Sequence, residues 1–519
     1  MASAAFKADL VLHEGLILGH PGSDSVAIGA GRILAHGPFS DLKAHVGPRT
    51  YLIRLGGRMV APGFIDSHLH FLEGAAAASG LSLVRCRSIV EVLAGLRVAA
   101  GRTPPGNWLR AFGCDEALLS EKRGPTREEL DKAVPKNPLR LRHQTLHGSW
   151  LNSRAIALLG LERDGDPKLP GANLVRDGAG KLTGFVAGIE EWLSSHLPLV
   201  TKAEGEARAR MFSRELAAAG VTAFTDATVR NGPEEDELFS KLVSSKAISQ
   251  RVGVMIGARR LEAAERAGAV AGPSGVKIAG LKFMPGDSYG TTTMERRVRI
   301  GLSSGFDCAF HATEVEELEE ALSAVELAIQ QIGSASRRGE CRIEHGGVIT
   351  PEHIGRLTAV GAWVVTEPGF IYYRGRKYAE EPGLIPHLYR AASLKSAGVS
   401  IAAGTDAPVT PARPLAAVAA AVSRATVDGV VLAPQERLSI DDAFALFTRN
   451  GARLARLQAG VVEPDHLADL IVLPKDPMSL KPAELMNLAV DMTIVDGRVV
   501  YERGRPAIAS SDSADLHSA

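Results

Sequence analysis

The chain has 519 residues, room for one large domain and a smaller one, and its hydrophobic (45%) and charged (23%) fractions are those of an ordinary globular protein. Its 59 basic and 59 acidic side chains cancel, which excludes a global field that would recruit nucleic acid or an anionic membrane. Cys86, Cys114, Cys308 and Cys341 are scattered without a Cys-x-x-Cys pair, so a disulfide framework is not expected and a cytoplasmic location is. The first residues lack the charged and apolar regions of a secretory leader, and no uncharged apolar run reaches the roughly 18 residues of a membrane span.

Residues 8–60 read as short strands separated by Gly, Pro and Asp turns: Asp9–His13, Gly15–Leu18, Ser25–Gly29, Arg32–Ala35 and Tyr51–Leu55. Ala468–Leu473 and Met492–Tyr501 repeat that texture near the other end. Each set alone is a thin sheet with little core. The spacing therefore predicts one small β-sandwich built from residues 1–60 plus 459–506. The polar tail, 507–519, is expected to be disordered.

Between the ends, residues 61–458 alternate strand-like and helical runs. The expected strands are Phe64–His70, Gly220–Asp226, Arg251–Gly257, Gly280–Met284, Asp307–His311, Cys341–His345, Ala362–Pro368 and Val399–Asp406. Helical spacing falls between many of them, as in Glu314–Ile332. The pattern predicts an α/β fold, a (β/α)8 TIM-like barrel. Residues 75–215 are too long for one connection and read as an insertion over the barrel mouth, with helices at Ser88–Ala100, Thr126–Val134, Ser149–Leu159 and Lys202–Ala219.

The chemistry is carried by strand ends. His68 and His70 are two residues apart in an extended run, so their imidazoles share one side. A bare His-x-His is a weak signal, and polar residues leaving a strand would be the better explanation of it alone. However, Lys282, His311, His345 and Asp406 also sit at strand C-termini, which meet at one mouth in this fold. Imidazole and carboxylate ligands of that kind suit Zn²⁺ and its first-row neighbours.

These motifs resemble the metal-dependent amidohydrolase superfamily, and within it the amidohydrolase family 3 branch that includes N-substituted formamide deformylases. The resemblance spans nearly the whole chain: Pro62–His70, Pro125–Asp131, His143 with His147–Ser153, Arg342–His345, Gly404–Pro408 and Leu467–Leu473. It implies a divalent metal centre, expected to be Zn²⁺ with one or two ions, ligated by His68, His70, His311, His345 and Asp406. Lys282 matches the lysine that relatives carboxylate to bridge two ions. Lys277, five residues earlier, is the competing candidate, and a strand-end lysine reaching solvent is the bland alternative. The implied reaction is hydrolysis of an amide-type C–N bond by a metal-activated water, with Asp406 shuttling the proton.

Two departures put the substrate in doubt. Gly286-Asp-Ser-Tyr289-Gly stands where relatives have Asp-Gly-Ser-Leu-Gly, and His311-Ala-Thr-Glu-Val where they have His-Ala-x-Gly-Asp. His143 and His147 admit two readings, as catalytic groups that bond the substrate oxyanion or as satisfied core histidines. Glu344 and Asp66 read as groups that orient a histidine. Trp150, Tyr289, Phe370, Tyr372, Tyr373 and Arg374 would line an apolar, aromatic substrate pocket, although the 367–376 segment is equally a loop packed on the insertion. The expected partner is a small-molecule substrate, with no nucleic acid or membrane, and a homodimer is compatible with the chain. Urea, lactone or ester hydrolysis, or isomerisation, would use the same residues. A binding scaffold would have no physical need for them.

Overall fold

Eight apolar runs become eight parallel strands in the computed structural model, which describes residues 7–162, 173–198, 200–261, 276–286, 290–333 and 337–505. The 507–519 tail and Tyr289 lie outside the described residues. The barrel strands are Phe64–Leu69, Val221–Asp226, Arg251–Gly257, Val276–Phe283, Cys308–Ala312, Cys341–His345, Trp363–Thr366 and Ser400–Ala403. Their order in the sheet is their order in the chain, each parallel to the next. Such strands are buried on both faces, which is why they read as unbroken apolar runs rather than alternating ones.

The first and eighth strands stand at opposite ends of that hydrogen-bonded order. They meet through Gly404, where an added Cβ would lie 2.6 Å from the His68 Cβ and 2.8 Å from its backbone N and O. Only glycine fits there. The fourth strand begins earlier than expected, so Lys277 lies within it and Lys282 one residue from its end.

Amphipathic helices cover the sheet. In Val315–Ile332 the buried residues Leu318, Ala321, Leu322, Val325 and Ala328 recur at three and four, and Glu314 with Glu317 forms a capping box at its start. Phe283 and Phe310, on neighbouring strands, stack with centroids 4.8 Å apart. Truncating either to Ala would cost roughly 3–5 kcal/mol.

The chain divides into two units, the first comprising Met1–Leu69, Ser213–Thr405 and Ala412–Ala519, the second His70–Phe212 and Asp406–Pro411. The first unit holds the barrel sheet and two smaller sheets. One is N-terminal, in the order Arg32–Gly37, Ser25–Gly29, Leu10–His13, Tyr51–Arg54. The other joins both chain ends, in the order Leu16–Ile17, Met59–Pro62, Leu470–Leu473, Met492–Val495, Arg498–Glu502. Leu12, Val26, Ile28, Val60, Leu470, Val472 and Ile494 share one core cluster, so neither end buries its apolar face without the other.

The second unit sets strands among the expected helices. It contains a six-stranded sheet in the order Asn173–Arg176, Leu182–Ala187, Gly148–Leu151, Leu139–His143, Leu109–Cys114, Leu81–Ser82. The expected helix over Ser149–Leu159 is a strand to Leu151 and a helix only from Ser153. Asn152 makes the switch. Its Oδ1 accepts from Ala155 N and Leu139 N, and its Nδ2 donates to Val134 O and Asn137 O, so a strand end and a helix cap share one buried amide. The other expected helices are present as Ile89–Arg102, Arg127–Ala133 and Lys202–Ala218. All four cysteines are free thiols. Among the described residues no helix is long and apolar enough to cross a membrane.

Candidate active site

The C-terminal ends of the barrel strands gather His68, Lys282, His311 and His345 within the first unit, together with two carboxylates. His68 is fully buried, and its Nδ1 lies 2.5 Å from Glu344 Oε2. Arg342 Nε donates to Glu344 Oε1 at 2.5 Å, and another guanidinium nitrogen donates to Ser67 O at 2.9 Å. His345 Nδ1 lies 2.5 Å from Glu367 Oε2, and its Nε2 is 2.9 Å from His311 Nδ1. Each of His68, His345 and Glu367 offers one ligand atom, and the three atoms lie within 4.8 Å of one another.

Burial and the nearby Lys282 ammonium push the pKa of His68 down to about 3, so its ring is neutral. Burial alone would raise Glu344, yet Arg342 and the His68 hydrogen bond hold it well below the usual carboxylate range. A carboxylate on Nδ1 fixes the Nδ1–H tautomer and turns the Nε2 lone pair outward, the state a metal ligand needs. The donor set at this strand end thus fits a first-row divalent ion. His345 adopts a positive φ of 68°, a conformation that a non-glycine residue holds only when its surroundings enforce it.

Asp66 ties the first strand to the eighth. Its Oδ1 accepts from His68 N at 3.3 Å and Thr405 N at 2.9 Å, and its Oδ2 from the Thr405 hydroxyl at 2.5 Å. Lys282 is 2% exposed, whereas the Nζ of Lys277 donates to Ala455 O at 3.1 Å. Ala455 is the last residue of the helix Arg449–Ala455.

In the second unit, His70 Nε2 lies 3.1 Å from Asp406 Oδ1, and His70 N donates to Ala407 O at 2.8 Å. Asp406 also has a positive φ, 54°. His147 stays open to water, but crowding by the surrounding protein lowers its pKa against the opposing charge of Asp406. His143 has both ring nitrogens engaged: Thr145 N donates to Nδ1 at 3.0 Å, and Nε2 lies 3.1 Å from Glu116 Oε2. Trp150 is 4% exposed within the core of this unit, tilted against Phe185 at 4.9 Å. Core packing accounts for its side chain.

The 367–376 segment is a helix over Gly369–Ala379 rather than a loop. It sets the Phe370 ring edge-on to His345, with centroids 6.4 Å apart, and against Tyr389 at 6.0 Å. Arg374 sits one turn on, 6.0 Å from the Phe370 centroid, while Tyr372 and Tyr373 pack edge to face at 5.0 Å. Sequence reasoning passed over Glu367 and Tyr389. An acid directly after the seventh strand was a usable signal for the first, but nothing near Tyr389 marks it.

The amidohydrolase family model matches residues 52–501. Over 93% of its length the chain is 26% identical to the N-substituted formamide deformylase of Arthrobacter pascens, covering 95% of that protein. It is likewise 26% identical to the protein LONG AFTER FAR-RED 3 of Arabidopsis thaliana, over 96% of this chain and 92% of that one. Among solved structures it resembles an uncharacterized metal-dependent hydrolase from Pyrococcus horikoshii, with a TM-score of 0.71 and 23% identity, over 91% of this chain and 99% of that chain.

Proposed function

The chain belongs to the amidohydrolase family, and on that premise we propose that it hydrolyses the amide-type C–N bond of an N-substituted formamide, an N-acyl amine or a related small molecule. The observation that carries this reading is the pair of buried histidines His68 and His345, each held at Nδ1 by a carboxylate at 2.5 Å. His68, His70, Lys282, His311, His345 and Asp406 would hold a divalent ion, with Zn²⁺ the best match to imidazole and carboxylate donors. Lys282, carboxylated on Nζ, would bridge a second one. When bound, such an ion supplies Lewis acidity toward a carbonyl oxygen and toward water.

The chain's own residues do the rest. Glu344 and Glu367 keep His68 and His345 in one tautomer and one orientation. Asp406 takes a proton from the attacking water as the C–O bond forms, then delivers it to the nitrogen as the C–N bond breaks, releasing a carboxylic acid and an amine. His70, 3.1 Å away, steadies that carboxylate. His147, whose pKa the surrounding protein lowers, donates a hydrogen bond to the developing oxyanion. His143, committed to Glu116 and Thr145, acts by holding the turn that carries His147.

Substrate choice belongs to Phe370, Tyr372 and Arg374, and favours an apolar or aromatic group beside the amide. The test pairs metal content with hydrolysis of formamides, N-acyl amines, ureas and lactones. Stripping the protein with a chelator should abolish amide hydrolysis, and a divalent metal should restore it. A metal-stripped protein that keeps full turnover defeats the reading.

A further inference from the structure

The first unit carries a second group of ligating side chains, on its small sheets rather than at the barrel-strand ends. We propose that His20, His36 and Glu463 bind one first-row divalent cation, with Zn²⁺ as the fitting probe, and so fasten the two chain ends together. The reading of the barrel does not enter the argument.

The distances carry the proposal. His20 Nε2 lies 3.5 Å from one Glu463 oxygen, and His36 Nε2 lies 3.6 Å from the other. Both are too long for a good hydrogen bond. They are close to the edge of a ligand tetrahedron, about 3.3 Å when each ligand atom sits about 2.0–2.1 Å from the ion. The two imidazole rings are tilted 39° to each other with centroids 3.9 Å apart. Two protonated rings at that spacing repel, and two neutral rings turning lone pairs on one carboxylate also repel. A divalent cation between the three groups would take up the two ring lone pairs and the carboxylate charge together.

The surroundings are built for it. Ser23 Oγ lies 3.1 Å from His36 Nδ1, so an Nδ1–H donated to the hydroxyl leaves Nε2 as the ligand atom. His20 is held in a turn, with its N donating to Ile17 O at 3.0 Å and its carbonyl accepting from Ser23 N at 3.1 Å. The loop that carries Glu463 is pinned along the His36 strand. Asp465 N donates to Ile33 O, and Ile33 N to His466 O, both at 2.9 Å, while Ala468 N donates to Gly31 O at 2.8 Å. A preorganised backbone places the three side chains before any ion arrives. Exposures of 21%, 19% and 47% for His20, His36 and Glu463 leave an entry path and room for a fourth, water ligand. Two neutral imidazoles and one carboxylate are a donor set that zinc accepts, and binding to the folded state alone would stabilise the composite sandwich by mass action.

Zinc is titrated into the full chain against a chromophoric chelator. The wild-type chain should take up about one equivalent more than either His36→Gln or Glu463→Gln, with hydrolytic activity alike in all three, since none of these residues lies in the proposed catalytic set. Independently of any variant, saturating zinc should protect His20 and His36 from diethylpyrocarbonate, read by peptide mass spectrometry. Equal uptake by the wild type and both variants, or modification of His20 and His36 unchanged by zinc, overturns the proposal.

Discussion

Two histidine groups in the same unit are held in opposite ways. At the barrel-strand ends, His68 and His345 are buried and each rests on a carboxylate at 2.5 Å. On the small sheets, His20 and His36 are partly open to water, and His36 leans on a hydroxyl at 3.1 Å. At His68, burial first and the Lys282 charge second push the pKa down to about 3 against the pull of Glu344. Burial with a charged anchor suits a site that performs chemistry, and exposure with a neutral anchor suits one that only clasps.

The comparison breaks first at the proton. The carboxylate beside His20 and His36, Glu463, is proposed only as a ligand, whereas the proposed catalytic set ends in Asp406. Asp406→Asn should lower kcat by roughly 10²-fold or more with metal content little changed. Near-normal turnover would assign the proton to another group.

Removing the anchors sharpens it next. Glu344→Gln keeps an acceptor near His68 Nδ1 but discards the charge, and should weaken metal binding or activity by about 10–100-fold. An unchanged metal affinity would mean that burial, not the carboxylate, fixes His68.

Acid gives a further contrast. In the metal-free chain His68 contributes no pH dependence above 6.5, its value in the unfolded chain. Below that the unfolded chain gains a proton that the folded chain refuses. Stability is therefore lost as pH falls from 6.5 toward about 3, by at most about 1.4 kcal/mol per pH unit. His68→Gln should make the urea midpoint fall less steeply between about pH 6 and about pH 4. Parallel curves would show that the folded chain does protonate His68.

The smallest effect lies on the open side. Ser23→Ala removes a neutral partner of His36, and the zinc affinity of the sandwich should change by less than about tenfold, below the Glu344 effect. A larger loss would make the hydroxyl as important as the buried carboxylate.

The barrel was legible because parallel strands buried on both faces leave unbroken apolar runs, and two of them, Arg251–Gly257 and Cys341–His345, have the expected bounds. Their polar C-terminal residues were legible for the same reason, since a His or Lys interrupts such a run visibly. The six-stranded sheet of the second unit was not. Gly148–Leu151 is buried throughout and runs into a helix two residues later, so its apolar spacing merges with that of the helix. Only the tertiary bonds of Asn152 mark the boundary. Glu367 escaped notice because its meaning is its contact with His345, a partner 22 residues away. The choice of Lys282 over Lys277 rested on the residues that follow it, and the contact of Lys277 with Ala455 O was invisible to sequence spacing.

Gly404 leaves the barrel with a keyed joint. The eighth strand reaches His68 across an absent side chain, at separations that a single methyl group would fill. The histidine at one edge of the sheet is therefore indexed to the chain two residues before Asp406, and neither can be re-pitched alone. Changes that retune the surrounding loops can accumulate independently of this joint. A change at the joint itself has to come as a matched pair.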